Sequence, residues 1–262
     1  MRILAVDVGN TSTAVGLWID GKVASVSHID GGLISSEKKT KKIVSSIVAS
    51  GVDGAGFASV VPSCDKAWKA FLSHELSLKL AIVSAKSKSL VTFDYPDPGT
   101  IGADRAADAS GAVDRYGSPV IVADFGTATT LSVILPGNRW IGGVIAPGFP
   151  LMSDYLFEKT AKLPRMKMSG CCPKIGKSTA GAMRFGAIAG YRGMVREITA
   201  ELQKNFNYPF KLVATGGYAG WVLRSSGLDY KIDRDLTLHG VGVIAKMELQ
   251  SGKTQGRMKH GR

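Results

Sequence analysis

The sequence predicts an α/β protein made of two repeated halves, each with a mixed sheet flanked by helices. Three observations lead there: a strand, polar turn, strand unit opens the chain, the same unit returns in mid-chain, and segments of helical periodicity alternate with short apolar runs. The first unit reads Arg2 to Val6, the turn Asp7-Val8-Gly9-Asn10-Thr11-Ser12-Thr13, then Ala14 to Trp18. A third strand, Val23 to Val26, follows the tight turn Asp20-Gly21. The second unit reads Val120 to Ala123, then Asp124-Phe125-Gly126-Thr127-Ala128-Thr129-Thr130, a further strand and the turn Pro136-Gly137-Asn138. With Asp7 laid on Asp124, Gly9 falls on Gly126, Ser12 and Thr13 on Thr129 and Thr130, and Lys22 on Arg139, without a gap.

Helical periodicity marks Ser36 to Ser50, Cys64 to Leu76, Gly102 to Arg115, Ser178 to Gln203 and Val241 to Leu249. The breaker cluster Tyr116-Gly117-Ser118-Pro119 sets the expected domain junction, giving residues 1–117 and 118–262 as the two domains. The run Gly240-Val241-Gly242-Val243-Ile244-Ala245 reads as helix-to-core packing rather than a nucleotide loop.

Composition narrows the partners. With 262 residues and 45% hydrophobic content, the chain can bury one large core or two modest ones. No apolar run approaches the length of a membrane span, and Ile3 to Val6 is too short for a signal segment, so a cytoplasmic protein without a membrane partner is expected. Cys64 and the adjacent Cys171 and Cys172 lack metal-ligand spacing and read as reduced thiols. The net charge of +12 is spread over Lys38 to Lys42, Lys159 to Lys167 and a basic tail, with no interleaved aromatics. That pattern favours solvated surface over nucleic acid.

The turn residues carry the chemistry. Holding phosphate takes unobstructed backbone N–H groups, hydroxyls, and a carboxylate for hydrated magnesium, and Asp7, Gly9, Asn10, Thr11, Ser12 and Thr13 supply all three. This turn lacks the Gly-Lys-Ser or Gly-Lys-Thr ending of a Walker A loop. Two such hairpins can face each other across a cleft and hold a nucleotide from both sides. Between them, Tyr95-Pro96-Asp97-Pro98-Gly99-Thr100-Ile101-Gly102-Ala103-Asp104-Arg105 forms a rigid loop that ends in an acid and a base at a helix start. Taken alone, Asp104 suits the helix dipole and Arg105 a surface ion pair.

Together these features resemble the duplicated actin-like (ribonuclease H-like) fold, with its nucleotide cleft between two domains. The run Leu212-Val213-Ala214 into Thr215-Gly216-Gly217 matches that fold's Gly-Gly turn beside the adenosine. The resemblance sharpens with five motifs in order: Asp-Val-Gly-Asn-Thr at Asp7, Gly-x-Asp-Arg at Gly102, Asp-x-Gly-Thr-Ala-x-Thr at Asp124, Gly-Gly-x-Ile-x-Pro-Gly at Gly142, and Ile-Gly-Lys-Ser-Thr at Ile175. In this order, over nearly the whole chain, they resemble the type III pantothenate kinases.

That resemblance implies phosphorylation of pantothenate by ATP to 4′-phosphopantothenate, the first step of coenzyme A synthesis. It implies ATP binding by Asp7, Val8, Gly9, Asn10, Thr11, Ser12, Thr13 and Ala14, and by Thr127 from the second hairpin. It implies pantothenate binding by Tyr95, Gly102, Ala103, Asp104, Arg105 and Thr179, with Asp104 as general base. Also implied are Mg2+ with the nucleotide, a monovalent cation (K+ or NH4+) ligated by Asp124, and a homodimer. Two positions depart from the family pattern: Ser132 and Asp97 stand where aspartate and asparagine are usual. The competing reading is a non-catalytic family member acting as a transcriptional accessory or nucleic-acid-binding factor. Intact Asp104 and intact turns argue against it.

Overall fold

The computed structural model describes residues 1–30, 38–165, 175–224 and 226–258. Cys171, Cys172, Lys167 and the last residues of the basic tail lie outside them. The opening strands run longer than expected: β1 is Arg2–Val8, β2 Ser12–Ile19 and β3 Lys22–Asp30. Helix α1 (Lys38–Val48), β4 (Gly54–Ser59), α2 (Pro62–Ala70) with a π-turn at Phe71–Glu75, β5 (Leu80–Ile82), β6 (Thr92–Phe93) and α3 (Ala103–Tyr116) follow. The second half brings β7 (Val120–Phe125), β8 (Ala128–Leu135), β9 (Arg139–Pro147), α4 (Phe149–Lys159) and α5 (Thr179–Lys204). It ends with β10 (Lys211–Thr215), α6 (Ala219–Leu223), β11 (Lys231–Ile232) and α7 (Leu236–Met258).

Strand order repeats between the sheets. The first runs β3-β2-β1-β4-β5, and the second contains β9-β8-β7-β10-β11 in the corresponding sequence, with β6 added beside β9. In both, an antiparallel three-strand meander leads into a parallel strand; β1 pairs with β4, and β7 with β10. The hairpin tips are set by turn chemistry. Asp20 and Gly21 both take positive φ, as do Gly137 and Asn138, the backbone twist that suits a two-residue hairpin.

The chain forms two compact units that are discontinuous in sequence. The first holds Met1–Ser118, Ile134–Ile141 and Asp235–Arg262, and the second holds Pro119–Val133 and Gly142–Arg234. Helix α7, assigned from sequence to residues 118–262, therefore packs within the first unit, against α3 and β1.

In the first unit, the two-residue period of β1 sorts its side chains between two layers. Leu4, Val6 and Val8 join Phe57, Trp68, Phe71 and Leu72 in a core with α1 and α2. Ala5 turns the other way and packs with Ala58 of β4, Ala103 and Ala107 of α3, and Leu238, Val241 and Ile244 of α7. Small side chains let these helices approach the sheet closely. Gly240 is a necessary part of this, because a Cβ there would run into the Ala107 carbonyl. The glycine-rich run at Gly240 is thus the contact face of a helix. Polar contacts reach in from the edge to the core: Trp18 Nε1 donates to the buried His239 Nδ1 at 3.1 Å, His239 Nε2 lies 2.8 Å from the exposed Asp114, and Thr237 donates to the buried Asp108 at 2.7 Å.

The second unit is centred on β7 and β10, where Ile121, Val122, Ala123, Phe125, Val213 and Ala214 are buried. Phe149 packs edge-on to Tyr191 and tilted against Trp221, at ring distances of 5.5 and 4.3 Å. Among the described residues, no helix is long and apolar enough to cross a membrane.

Candidate active site

In the first unit, Asp7 to Ala14 span the end of β1, its turn and the start of β2. The turn closes on itself through the Gly9 N–H, which donates to the Ser12 carbonyl at 3.0 Å. Asn10 and Thr11 are exposed at the tip, while Val8 and Thr13 are fully buried. Those last two can serve a ligand only through backbone and by supporting the turn. Asp7 shares a sheet face with Ala5, the face that carries α3.

Helix α3 starts at that same end of the sheet. The Val8 carbonyl accepts from Val60 N–H at 3.0 Å, and Val60 in turn lies beside Gly102, which caps α3. A Cβ on Gly102 would crowd the Asp104 carboxylate and oblige that side chain to shift. Asp104 Oδ1 accepts from the Arg105 N–H at 2.7 Å. Burial pushes the Asp104 carboxyl above its ordinary value, against the opposing pull of the Arg105 N–H bond and charge. A raised pKa makes the carboxylate a stronger base. Burial likewise lowers the Arg105 guanidinium, with the Asp104 charge opposing.

The loop that leads to Arg105 is fixed at several points. Asp97 Oδ1 accepts from the Gly99 N–H at 2.9 Å, capping a single 3₁₀ turn at Pro98–Thr100. An asparagine carbonyl would make the same bond, so the Asp97 departure preserves the loop's geometry. Ala103 is buried in the core, and its part is packing rather than side-chain contact with a ligand. Tyr95 is 42% exposed, with its ring edge-on to Trp140 at 5.3 Å.

In the second unit, the turn between β7 and β8 holds Asp124 and Thr127, both half-buried. Two glycines distant in sequence press against it. The Gly148 N–H donates to the Thr127 carbonyl at 3.1 Å, and a Cβ on Gly148 would strike the carbonyls of Gly126 and Thr127. Gly216, at φ +90°, lies against the Asp124 carboxylate and the Phe125 backbone, where any side chain would clash. The Gly-Gly-x-Ile-x-Pro-Gly and Thr-Gly-Gly motifs therefore converge on the second turn. Beneath it, the buried hydroxyls of Thr129 and Tyr191 bond to each other, and burial raises the Tyr191 pKa against that bond. Ser132, also buried, sits on β8.

Thr179 is the exposed first residue of α5, behind the cap in which Ser178 Oγ accepts from the Gly181 N–H at 3.1 Å. Sequence alone marks Trp140 only as a core or interface anchor, and it does not mark Tyr191 or the contact made by Gly148. The signals were an aromatic after Arg139, a tyrosine on the long helix and the last glycine of a quoted motif, but their partners lie far away in sequence.

Among the described residues, no group of three His, Cys, Asp or Glu side chains could hold a metal. Asp7, half-buried at the end of β1, is the carboxylate of the first turn, and a single carboxylate suits a magnesium ion carried largely by phosphates and water.

The fold's likeness to solved structures is broad. A Baf family transcriptional activator from Campylobacter jejuni matches at TM-score 0.60 and 15% identity, covering 95% of this chain and all of that one. The activator of 2-hydroxyisocaproyl-CoA dehydratase from Clostridium difficile, solved with ADPNP, matches at 0.56 and 10% identity over 98% of both chains. A ROK family glucokinase from Streptomyces griseus matches at 0.53 and 16% identity, over 95% of this chain and all of its own. At these identities the likeness establishes the duplicated actin-like fold. In sequence, the type III pantothenate kinase of Desulfosudis oleivorans is 34% identical over 250 residues, 92% of this chain and 98% of that protein. The one from Akkermansia muciniphila is 42% identical over 197 residues, 75% and 80% of the two chains. The family model for type III pantothenate kinase matches residues 3–201. With a match of that extent and relatives this similar along most of their length, the chain belongs to the type III pantothenate kinase family of phosphotransferases.

Proposed function

We propose that the protein transfers the γ-phosphoryl group of ATP to the hydroxyl of pantothenate, giving ADP and 4′-phosphopantothenate at the entry to coenzyme A synthesis. The observation that carries this, beyond family membership, is the environment of Asp104. It is a carboxylate at the start of α3, raised by burial and next to an arginine, at the sheet end where the first turn also lies. Asp104 takes the proton from the pantothenate hydroxyl as its oxygen attacks the γ-phosphorus. Arg105 offers planar N–H donors to the substrate's anionic end or to the transferring phosphoryl group.

ATP is held by the Asp7 to Ala14 turn and by Thr127, through backbone N–H groups and the hydroxyls of Thr11 and Ser12. Asp7 suits a hydrated magnesium ion, which when bound offsets phosphate charge. Asp124 suits a monovalent cation, K+ or NH4+, in place of the lysine that a Walker A loop would supply. Tyr95, Gly102 and Thr179 complete the pantothenate contacts. We read residues 1–117 and 118–262 as the two copies of one ancestral domain, a division supported by the matching strand order.

A homodimer formed through the second unit is supported by its exposed apolar side chains, Ile145, Leu151, Tyr155, Phe157, Ile175 and Phe185. Light scattering at micromolar concentration should give twice the chain mass. The cytosol is the compartment we assign, where Cys64, a buried free thiol, stays reduced.

The test of function is mass-spectrometric detection of 4′-phosphopantothenate from ATP and pantothenate, with potassium and then with sodium as the only monovalent cation. Potassium-dependent product is expected. Absence of product with every cation would overturn the reading and make nucleic-acid binding the next property to measure.

A further inference from the structure

We propose that Trp140 is a positioning residue for the acceptor substrate: its indole clamps both ends of the loop that runs from Tyr95 to Arg105. This inference rests on the kinase reading above. Trp140 is fully buried on β9, within the first unit. Beside it, β6 pairs in parallel, Phe93 opposite Trp140, and the Asp94 N–H donates to the Trp140 carbonyl at 2.9 Å. The chain then leaves the sheet as the loop, beginning at Tyr95 and ending at Arg105.

One ring meets the loop at both ends. The Tyr95 ring is edge-on to it at 5.3 Å, and the Arg105 guanidinium carbon lies 5.1 Å from its centroid. A loop of eleven residues is thereby closed on a single rigid side chain. Arg105 Nε is buried, and among the described residues it has no hydrogen-bond partner. An aromatic face thus lies against the guanidinium, whose Nε has no acceptor. Cation–π attraction of this kind fixes the position of the charge without occupying its N–H donors, which remain available to an oxyanion. The edge contact likewise holds the Tyr95 ring, which stays 42% exposed.

The role separates from mere core filling by which kinetic constant moves. The experiment measures kcat and the KM values for pantothenate and ATP in wild type, Trp140→Phe, Trp140→Leu, Arg105→Ala and the Arg105→Ala, Trp140→Leu double variant. Thermal melts establish that each is folded. Trp140→Leu should raise the KM for pantothenate about tenfold, with the KM for ATP within about twofold. Trp140→Phe, which keeps an aromatic face, should recover most of that loss. In the Arg105→Ala background, Trp140→Leu should add less than half the loss it causes alone, since the two side chains act as one unit.

Equal losses toward ATP and pantothenate, or the full Trp140→Leu loss persisting without Arg105, would overturn the proposal while leaving the kinase reading intact. A wild-type protein that fails to phosphorylate pantothenate would overturn both.

Discussion

The two turns that begin each half are copies in sequence and in sheet position, yet their surroundings differ. The first, Asp7 to Thr13, closes through its own Gly9 to Ser12 bond and leaves Asn10 and Thr11 exposed. The second, Asp124 to Thr130, is gripped from outside by Gly148 and Gly216 and underpinned by the Tyr191 hydroxyl. The helices that follow the last strand of each sheet diverge further. α3 opens with Gly102, Asp104 and Arg105, whereas α7 opens with Leu236 and has no acidic residue in its first turn. A duplicated scaffold has thus kept the same acidic, glycine-bearing turn in both halves, while the buried acid beside an arginine stands in one.

Replacing Asp104 should break that asymmetry with the largest effect. Asp104→Asn should lower kcat by about 10²- to 10⁴-fold, the range for a general base, measured on folded protein. Its melting temperature should equal or exceed that of wild type. The sign follows from linkage: a carboxyl raised by burial contributes most to stability below its unfolded pKa, and that contribution is lost as pH rises through the folded value. Above the folded pKa the ionised group is a liability that asparagine removes. Activity and stability should therefore move in opposite directions.

The two glycine-bearing turns can be compared directly by adding one methyl group to each. Gly216→Ala forces an alanine into positive φ against the Asp124 carboxylate and the Phe125 backbone, and should cost about 2–4 kcal/mol in a denaturant titration. Gly9→Ala meets only the Ser12 carbonyl, at 3.0 Å, and should cost about 1 kcal/mol. Equal costs would mean that the second turn is no more tightly packed than the first. Tyr191→Phe, which removes the hydroxyl beneath the second turn, should cost about 1 kcal/mol by the same measurement. The smallest effect is expected from Asp97→Asn, which keeps the bond to the Gly99 N–H; kcat/KM for pantothenate should stay within about twofold.

Much of this was readable in the sequence because local chemistry announces it. The β-branched run at Val120 and the Asp20-Gly21 turn gave their elements directly, and the repeat at Asp124 anticipated the shared strand order. Strand β4 escaped notice because Gly-Ala-Gly-Phe-Ala-Ser has almost no β-branched character; its small residues are there to admit α7, whose Val241 and Ala245 lie against Gly56. Helix α4 hid behind the Pro147-Gly148 breaker. The expected junction after residue 117 could not anticipate that α7 packs with the first unit, since that contact depends on tertiary fit between α3 and α7 rather than on any local signal. In the site, the motifs pointed to Asp104 and Arg105, but the indole that holds Arg105 was legible only once Phe93 and Trp140 were seen as register partners.

The most direct test of the central claim, that burial has tuned Asp104 into the base, is the pH dependence of kcat/KM for pantothenate in wild type and in the residual activity of Asp104→Asn. A base must be deprotonated to act, so the wild-type rate should fall toward acid, with a midpoint above the ordinary aspartate range, and that fall should disappear in the variant. The same acid limb in both proteins, or a wild-type midpoint at the ordinary aspartate value, would contradict the account.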